Sequence, residues 1–174
     1  MNQILENIKS RRSIRAFTDE PIDPVDLDRI LEAGLWAPSA RGLQTWQFTV
    51  LTDRTRISEL AVAIAEQLQR DPSRYTMYEP TALILASNDR ENHNGMLDCS
   101  CALQNMFLAA HSLGLGSVWI NQLRGICDEA GIRPILDSLG IPPNHLVWGM
   151  AALGHPAGPA PEPPPRKGVV HYVK

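Results

Sequence analysis

The stretch GMLDCSCALQNMFLAAHSL, residues 95–113, decides the fold of this chain. Its apolar side chains surround most of the helix circumference instead of lying on one face, a pattern typical of a buried central helix. These positions are Met96, Leu97, Ala102, Leu103, Met106, Phe107 and Ala110. Gly114 and Gly116 follow and end the helix. The sequence thus predicts a central helix, and the other elements are placed relative to it.

Helical and strand patterns alternate on both sides of this stretch. Apolar residues at helical spacing predict helices around residues 4–8, over 25–35, over 54–69, and over 125–139 with an interruption at Pro134. Short β-branched or apolar runs predict strands over residues 46–51, 81–87, 117–120 and 146–153. This order is not a regular βαβ repeat and no glycine-rich fingerprint follows a strand, which disfavours a Rossmann domain. An α+β layered fold fits the pattern better.

Length and composition indicate one domain over residues 1–174. A chain of 174 residues with 44% hydrophobic content can bury a single core. Residues 156–174 are expected to form an extended C-terminal tail, because six prolines lie between positions 156 and 165. The tail ends in Val169, Val170, Tyr172 and Val173, which have strand propensity, so it is expected to dock against something such as another subunit.

Charge and residue usage exclude several classes of partner and site. A net charge of −3 offers no basic excess for nucleic acid or an anionic membrane. No run of 18 apolar residues appears and residues 1–10 do not resemble a signal peptide, so a cytoplasmic location is expected. The three cysteines are predicted to be reduced thiols, and the histidines lack metal-ligand spacing. Buried positions are predicted for Cys99, Cys101, Trp36, Trp119 and Trp148.

The pentapeptide from Arg11 to Arg15 can bind an anion. In an extended chain, Arg11, Ser13 and Arg15 point to one side and can converge on a phosphate. A solvated basic loop is the alternative. The pair Arg166 and Lys167, beyond the proline run, could complete such a site or could simply face solvent.

Two connections have compositions that suit a flat heterocyclic ligand. Residues 37–46 lead from a helix into a strand through small residues, and Ser39 and Gln44 offer a hydroxyl and an amide to the edge of a pyrimidine-like ring. An ordinary helix-to-strand connection is equally compatible. Residues 114–121 could present backbone N–H groups to a ring nitrogen, or could be a helix C-cap and turn.

In combination, these segments resemble the FMN-dependent nitroreductase family. The family pattern R-R/H-S-x-R/K is matched by Arg11, Arg12, Ser13 and Arg15, and the pattern P-S-x-x-x-x-Q-x-W by Pro38, Ser39, Gln44 and Trp46. Residues 103–116 are similar to the family's central helix, and Gly154-His155-Pro156 with Arg166 matches its C-terminal part. The resemblance extends from about residue 4 to residue 170.

The resemblance implies an intertwined homodimer with two FMN sites at the interface and each tail extended over the partner subunit. It places the FMN phosphate and ribityl chain at Arg11, Arg12, Ser13, Arg15 and Arg166. It places Pro38, Ser39, Ala40 and Gln44 of the partner chain against the ring, Ile120 and Asn121 near the flavin N5, and Gly154 and His155 near the phosphate. Many relatives carry asparagine where Gly42 stands and proline where Thr45 stands, so a polar contact to the ring is expected to be missing.

The resemblance also implies the activity. Hydride passes from NAD(P)H through FMN to a nitroaromatic, quinone or related small-molecule acceptor in a ping-pong cycle, without a catalytic side chain or a metal. The alternatives are reductive dehalogenation or flavin fragmentation on the same fold, and a flavin-binding module without turnover.

Overall fold

A four-stranded antiparallel sheet forms the centre of the computed structural model, which describes residues 2–174; Met1, part of the predicted domain, lies outside the described residues. The strands are β1 (Trp46–Leu51), β2 (Ala82–Asp89), β3 (Gly116–Ile120) and β4 (His145–Gly154). Their order across the sheet is β1-β2-β4-β3. The predicted α+β fold is confirmed, and every neighbouring pair of strands is antiparallel.

Helices cover both faces of this sheet. They are α1 (Gln3–Ser10), α2 (Pro24–Leu35), α3 (Arg54–Gln67), α4 (Gly95–Ser112) and α5 (Arg133–Ser138), with short 3₁₀ turns at Ala40–Gly42 and Pro72–Arg74. On one face, α4 packs with Leu103 and Met106 buried in a cluster that includes Ile84 of β2, and α2 joins this layer through Ile30. On the other face, α3 and α5 contribute to the cluster that contains Leu85.

Strand β2 is buried on both sides, which explains its uninterrupted apolar sequence. Leu83 and Leu85 belong to the cluster with α3, while Ile84 and Ala86 belong to the cluster with α4. This alternation is the period of two expected for a strand. Because both faces are covered, neither set of side chains needs to be polar. The central helix predicted for residues 95–113 matches α4 to within one residue.

Three predicted burials, those of Trp36, Cys101 and Trp119, were wrong, the first two for the same geometric reason. Trp36 is 80% exposed and Cys101 is also exposed. Each lies two positions beyond a buried residue, Gly34 or Cys99, and two residues rotate a helix by about 200°, to its opposite side. Trp119 is 38% exposed, and Trp148 is half-buried against the α4 cluster.

The helix predicted over residues 125–139 is shorter than expected. Residues 125–132 form turns, and Pro134 lies in the first turn of α5 instead of interrupting a longer helix. Proline is tolerated there because the N–H groups of the first turn have no intrahelical partner. Within residues 2–174, no helix has both the length and the apolar character needed to cross a membrane.

Candidate active site

The segment that carries Arg11 and Arg15 crosses the adjoining ends of β3 and β4. Gly116 and Gly154 are cross-strand partners there. A Cβ on Gly116 would lie 2.9 Å from two carbons of Ile14, and one on Gly154 would lie 2.9 Å from Cδ1 of Phe17. Only glycine allows the segment to lie this close to the sheet.

Backbone hydrogen bonds hold the same segment in place. The N–H of Ile14 donates to the carbonyl of Ser117 at 3.0 Å, and the N–H of Thr18 donates to the carbonyl of His155 at 2.9 Å. The resemblance placed Gly154 and His155 near the phosphate. In the structure they contact the segment that follows Arg15, Gly154 by close packing against Phe17 and His155 through its carbonyl. Neither lines the cavity described next.

Five of the predicted site residues line one cavity of about 340 Å³, which we call the arginine cavity. It is lined by Arg11, Arg12, Ser13, Arg15, Pro161, Glu162, Pro164 and Arg166. Lys167 is exposed and is not among these residues. The tail therefore brings Arg166 back to the N-terminal segment, across more than 150 positions of sequence.

The electrostatics of the arginine cavity favour an anion. The pKa of Arg11 is lowered from its ordinary value, first by burial and then by the positive charges of Arg12 and Arg166. A guanidinium nevertheless stays protonated at neutral pH, so these charges repel one another until an anion joins them. Glu162 is the one acidic side chain among the described residues of the lining.

A smaller cavity of about 180 Å³, which we call the rim cavity, has Tyr78 in its lining. The guanidinium of Arg15 lies 6.0 Å from the ring centre of Tyr78, which lines the rim cavity together with Ile120. The N–H of Asn121 donates to Oε1 of Gln122 at 3.1 Å and is thereby engaged within the chain. Tyr78 and Gln122 were not identified from the sequence, because neither belongs to a recognisable local pattern.

The loop with Pro38, Ser39, Ala40 and Gln44 is exposed or half-buried and has an unusual backbone. Arg41, Gly42 and Gln44 have positive φ angles of 57°, 65° and 49°. Glycine and asparagine adopt this region most readily, so glycine at position 42 in place of the relatives' asparagine is compatible with the same loop shape. The N–H of Gln44 donates to Oγ of Ser39 at 3.2 Å.

A partly buried polar network attaches this loop to the start of α4. Asp98 is 4% exposed and accepts hydrogen bonds from the N–H of Ala40 at 2.9 Å and from Nδ2 of Asn92 at 3.1 Å. Asn92 also donates to Oγ1 of Thr45, which donates to Oδ1 of Asn88 at 2.7 Å. The network thus holds both ends of the loop. No local pattern predicted it, because Asp98 lies 58 positions from Ala40.

Within one chain, the arginine segment and this loop lie at opposite ends of α4. The loop is bonded to Asp98 near the start of α4, whereas Ser10, beside Arg11, lies 2.8 Å from Nε2 of His111 near its end. His111 lies thirteen positions after Asp98 in α4, which corresponds to about 20 Å along the helix. One chain therefore does not bring all the predicted residues together.

The described residues contain no group of three or more His, Cys, Asp or Glu side chains that could hold a metal ion. The cysteines are free thiols, as predicted. Burial raises the pKa of Cys99 to about 12, so this thiol is not a nucleophile at neutral pH.

Comparisons with known proteins show what the whole chain is similar to. The model of the Nitroreductase family matches residues 8–155. A candidate NADH dehydrogenase/NAD(P)H nitroreductase of Archaeoglobus fulgidus is 32% identical over 161 residues, covering 90% of this chain and 87% of that protein. The NADPH-flavin oxidoreductase of Vibrio harveyi is 33% identical, covering 90% and 67%. A nitroreductase of Bacteroides fragilis, solved with bound FMN, superposes with a TM-score of 0.91 at 37% identity over 100% of both chains.

Proposed function

The chain belongs to the nitroreductase family, and from this premise we propose that it is an NAD(P)H-dependent oxidoreductase that binds FMN at the interface of a homodimer. The observation that supports this most strongly is the convergence of Arg11, Arg12 and Arg166 on one cavity, where they repel one another and suit a phosphate. The structure of the similar Bacteroides fragilis nitroreductase contains FMN.

The lining of the arginine cavity suits the phosphate end of this cofactor. The arginine cavity is proposed to hold the phosphate, with Ser13 adding a hydroxyl donor. Arg15, between the arginine cavity and the rim cavity, places a positive charge along the path from phosphate to ring. Ile120, which lines the rim cavity, and the adjacent Asn121 are proposed to lie toward the N5 side of the ring. Asn121 cannot donate its N–H to the flavin without breaking its bond to Gln122.

We propose that the partner subunit completes the binding site of the flavin ring. Since the loop of Pro38, Ser39, Ala40 and Gln44 lies about 20 Å along α4 from the arginine segment, the loop in contact with a given flavin comes from the second copy. Gln44 can both donate and accept at the edge of the ring. In a twofold-symmetric dimer, each of the two flavin sites would then take its arginine segment from one chain and its loop from the other.

Bound FMN would supply the hydride chemistry between NAD(P)H and an acceptor, which we propose to be a nitroaromatic, quinone or related compound that alternates with the nucleotide in a ping-pong cycle. The protein binds and orients the cofactor through the arginine segment and the loop. No side chain of the chain is assigned as an acid or base.

The first experiment loads purified protein with FMN and follows the visible absorption of the flavin without oxygen while NADH or NADPH is added. Bleaching, and recovery of the absorption when a nitroaromatic or quinone is added after removal of the nucleotide, is the expected result. Protein that takes up no FMN contradicts the proposal. Yellow protein that neither nucleotide bleaches is a flavin-binding protein without this turnover.

A pair of opposite variants tests the phosphate site directly. Arg11→Gln is expected to weaken FMN binding about tenfold or more, because hydrogen bonds to charged groups contribute about 1.5–3 kcal/mol. Glu162→Gln is expected to strengthen it, because it removes the carboxylate from the lining. Riboflavin, which lacks the phosphate, is the control ligand. Equal effects on FMN and riboflavin would show that Arg11 does not bind the phosphate.

A further inference from the structure

The rim cavity has a wall that the proposed function does not use. Its lining includes Arg70, Arg74, Tyr78, Trp119, Ile120 and Gln122. Arg15 lines the arginine cavity and lies 6.0 Å from the ring centre of Tyr78, which lines the rim cavity with Ile120, so we expect the rim cavity to lie near a flavin whose phosphate occupies the arginine cavity. A substrate that stacks on the flavin near Ile120 would meet this wall.

The charge of the rim cavity is positive. Arg70 and Arg74 both line it, and none of its described lining residues is acidic. The guanidinium of Arg70 lies 5.8 Å from the ring centre of Tyr75. This contact does not neutralise the guanidinium, so Arg70 can still attract an anion. Arg74 approaches Asp71 at 3.7 Å, but the two side chains are 88% and 57% exposed, and such a pair contributes little in water.

The backbone of this wall is held in an uncommon conformation. Met77, Tyr78 and Glu79 have φ angles of 51°, 69° and 50°, in the left-handed region that non-glycine residues rarely adopt. Three such residues in succession persist only where the surroundings hold them. The side chain of Met77, which is 2% exposed, anchors the segment in the core beneath α3. Tyr78 is therefore presented to the cavity by a preformed segment.

We propose that the rim cavity is an anion subsite of the active site, in which Arg70 and Arg74 bind a carboxylate or phosphate of a substrate whose ring lies beside Ile120. This inference rests on the proposed function, because it needs a flavin at the neighbouring position. The shared chemistry is an anionic group attached to the molecule that gives or receives hydride. It comes either from the phosphates of the reductant or from a carboxylate on the acceptor.

The test uses FMN-loaded protein, the double variant Arg70→Gln/Arg74→Gln, and Arg56→Gln as a control for an exposed arginine of α3 outside the cavity. The first readout is binding of benzoate and of uncharged benzamide, followed by the change in the flavin absorption spectrum. The double variant is expected to weaken benzoate about tenfold and to change benzamide by less than about twofold.

Kinetic comparisons then identify the source of the anion. A selective loss of kcat/KM for 4-nitrobenzoate over 4-nitrobenzamide assigns the subsite to the acceptor. With a neutral acceptor, a selective loss for NADPH over NADH assigns it to the reductant's 2′-phosphate, and an equal loss for both nucleotides, with the neutral acceptor's own KM unchanged, assigns it to their shared pyrophosphate. Each of these results supports the subsite.

Two results overturn the subsite and leave the proposed function intact. In one, the double variant binds FMN, is bleached by NAD(P)H and handles every anionic ligand like the wild type. In the other, benzoate and benzamide weaken equally, which indicates a distorted cavity and not a lost charge. Wild-type protein that takes up no FMN removes both the proposed function and the subsite.

Discussion

Asp98 is a buried carboxylate that shapes a loop far from it in sequence. It accepts hydrogen bonds from Ala40 and Asn92, and Asn92 extends the network to Thr45. Between Ala40 and Thr45, three residues have positive φ angles, a conformation that costs free energy unless neighbouring contacts hold it. We therefore assign Asp98 as a positioning residue that acts on the proposed flavin through the loop.

Asp98→Asn tests this role with little change in volume. Its amide group can accept one of the two bonds but presents an N–H₂ group where a second acceptor is needed. We expect the free energy of unfolding to fall by about 1–3 kcal/mol and the affinity for FMN to fall several-fold. Urea denaturation and FMN titration measure the two effects, and hydrogen exchange at Ala40 should accelerate.

The exposed Asp28 of α2 supplies the control for this variant, since Asp28→Asn should leave both quantities unchanged. If Asp98→Asn lowers stability but leaves hydrogen exchange in the loop and FMN affinity as in the wild type, Asp98 stabilises α4 and does not position the loop.

The positive charges of the arginine cavity influence the pKa of His111 and, through it, the pH dependence of stability. Its pKa is lowered from 6.5 by burial first, and then by the positive charges of Arg11 and Arg12. Because the folded protein disfavours the protonated form, the unfolded chain binds the proton more readily. The stability contributed by neutral His111 is therefore fully present above about pH 6.5 and is lost as the pH falls below that value, through the lower pKa of the folded state.

His111→Gln is expected to flatten the fall in Tm of the FMN-free protein between about pH 7.5 and 5.5. Thermal unfolding at several pH values measures this, with His93→Gln as the control because His93 is exposed. An unchanged pH dependence in His111→Gln would show that another group, such as the half-buried His145, whose pKa burial also lowers, accounts for it.

At the scale of elements, the end of the sheet determines where the arginine segment lies. Gly116→Ala would introduce a Cβ 2.9 Å from two carbons of Ile14, closer than real Cβ contacts allow. We expect a loss of about 1–3 kcal/mol in unfolding free energy and weaker FMN binding, because Ile14 must move and Arg11 and Arg15 move with it. Gly131→Ala is the matched control, since an added Cβ there meets only Oε1 of Gln67 at 3.6 Å.

Urea denaturation and FMN titration on both glycine variants make the comparison. Wild-type FMN affinity in a destabilised Gly116→Ala protein would mean that the segment tilts without displacing its arginines. Wild-type stability in that variant would mean that the segment does not lie tightly on β3.

Local patterns in the sequence predicted most of the elements but not their arrangement. Strand β1 agrees with its prediction in both bounds, and α4 to within one residue, because both have strong apolar patterns. The order β1-β2-β4-β3 could not be predicted, because strand pairing depends on contacts between distant segments. Pro134 was misplaced because the same residue can interrupt a helix or begin one.

In the candidate site, too, local patterns predicted some residues, whereas residues that act through contacts between distant segments were missed. Alternation along Arg11, Ser13 and Arg15 predicted that these side chains could converge, and the structure places them on one cavity. Asp98 and Tyr78 were missed because their contacts join segments distant in sequence. The roles of all these residues toward a flavin stay predictions.

On the scale of the whole molecule, the single chain leaves a large apolar surface uncovered. Helix α1 has no buried residue, and Ile4 is 70% exposed. Together with Ile8 and Trp36, Ile4 lines a groove of about 760 Å³ between α1 and α4. An apolar surface of this kind is typical of a protein interface. A second copy of the chain is the occupant consistent with the proposed function, and sedimentation equilibrium should give the mass of a dimer.

The division of the site between two chains can be tested by mixing defects. We consider one chain with Arg11→Gln and another with Ser39→Ala/Gln44→Ala, co-expressed with different tags so that heterodimers can be purified. If each flavin takes its arginines from one chain and its loop from the other, one site of the heterodimer contains both defects and the second contains neither. The heterodimer should then bind about one FMN with wild-type affinity, whereas each parental homodimer binds FMN weakly. If both sets of residues came from one chain, every site would carry a defect, and the heterodimer would bind FMN no more tightly than its parents.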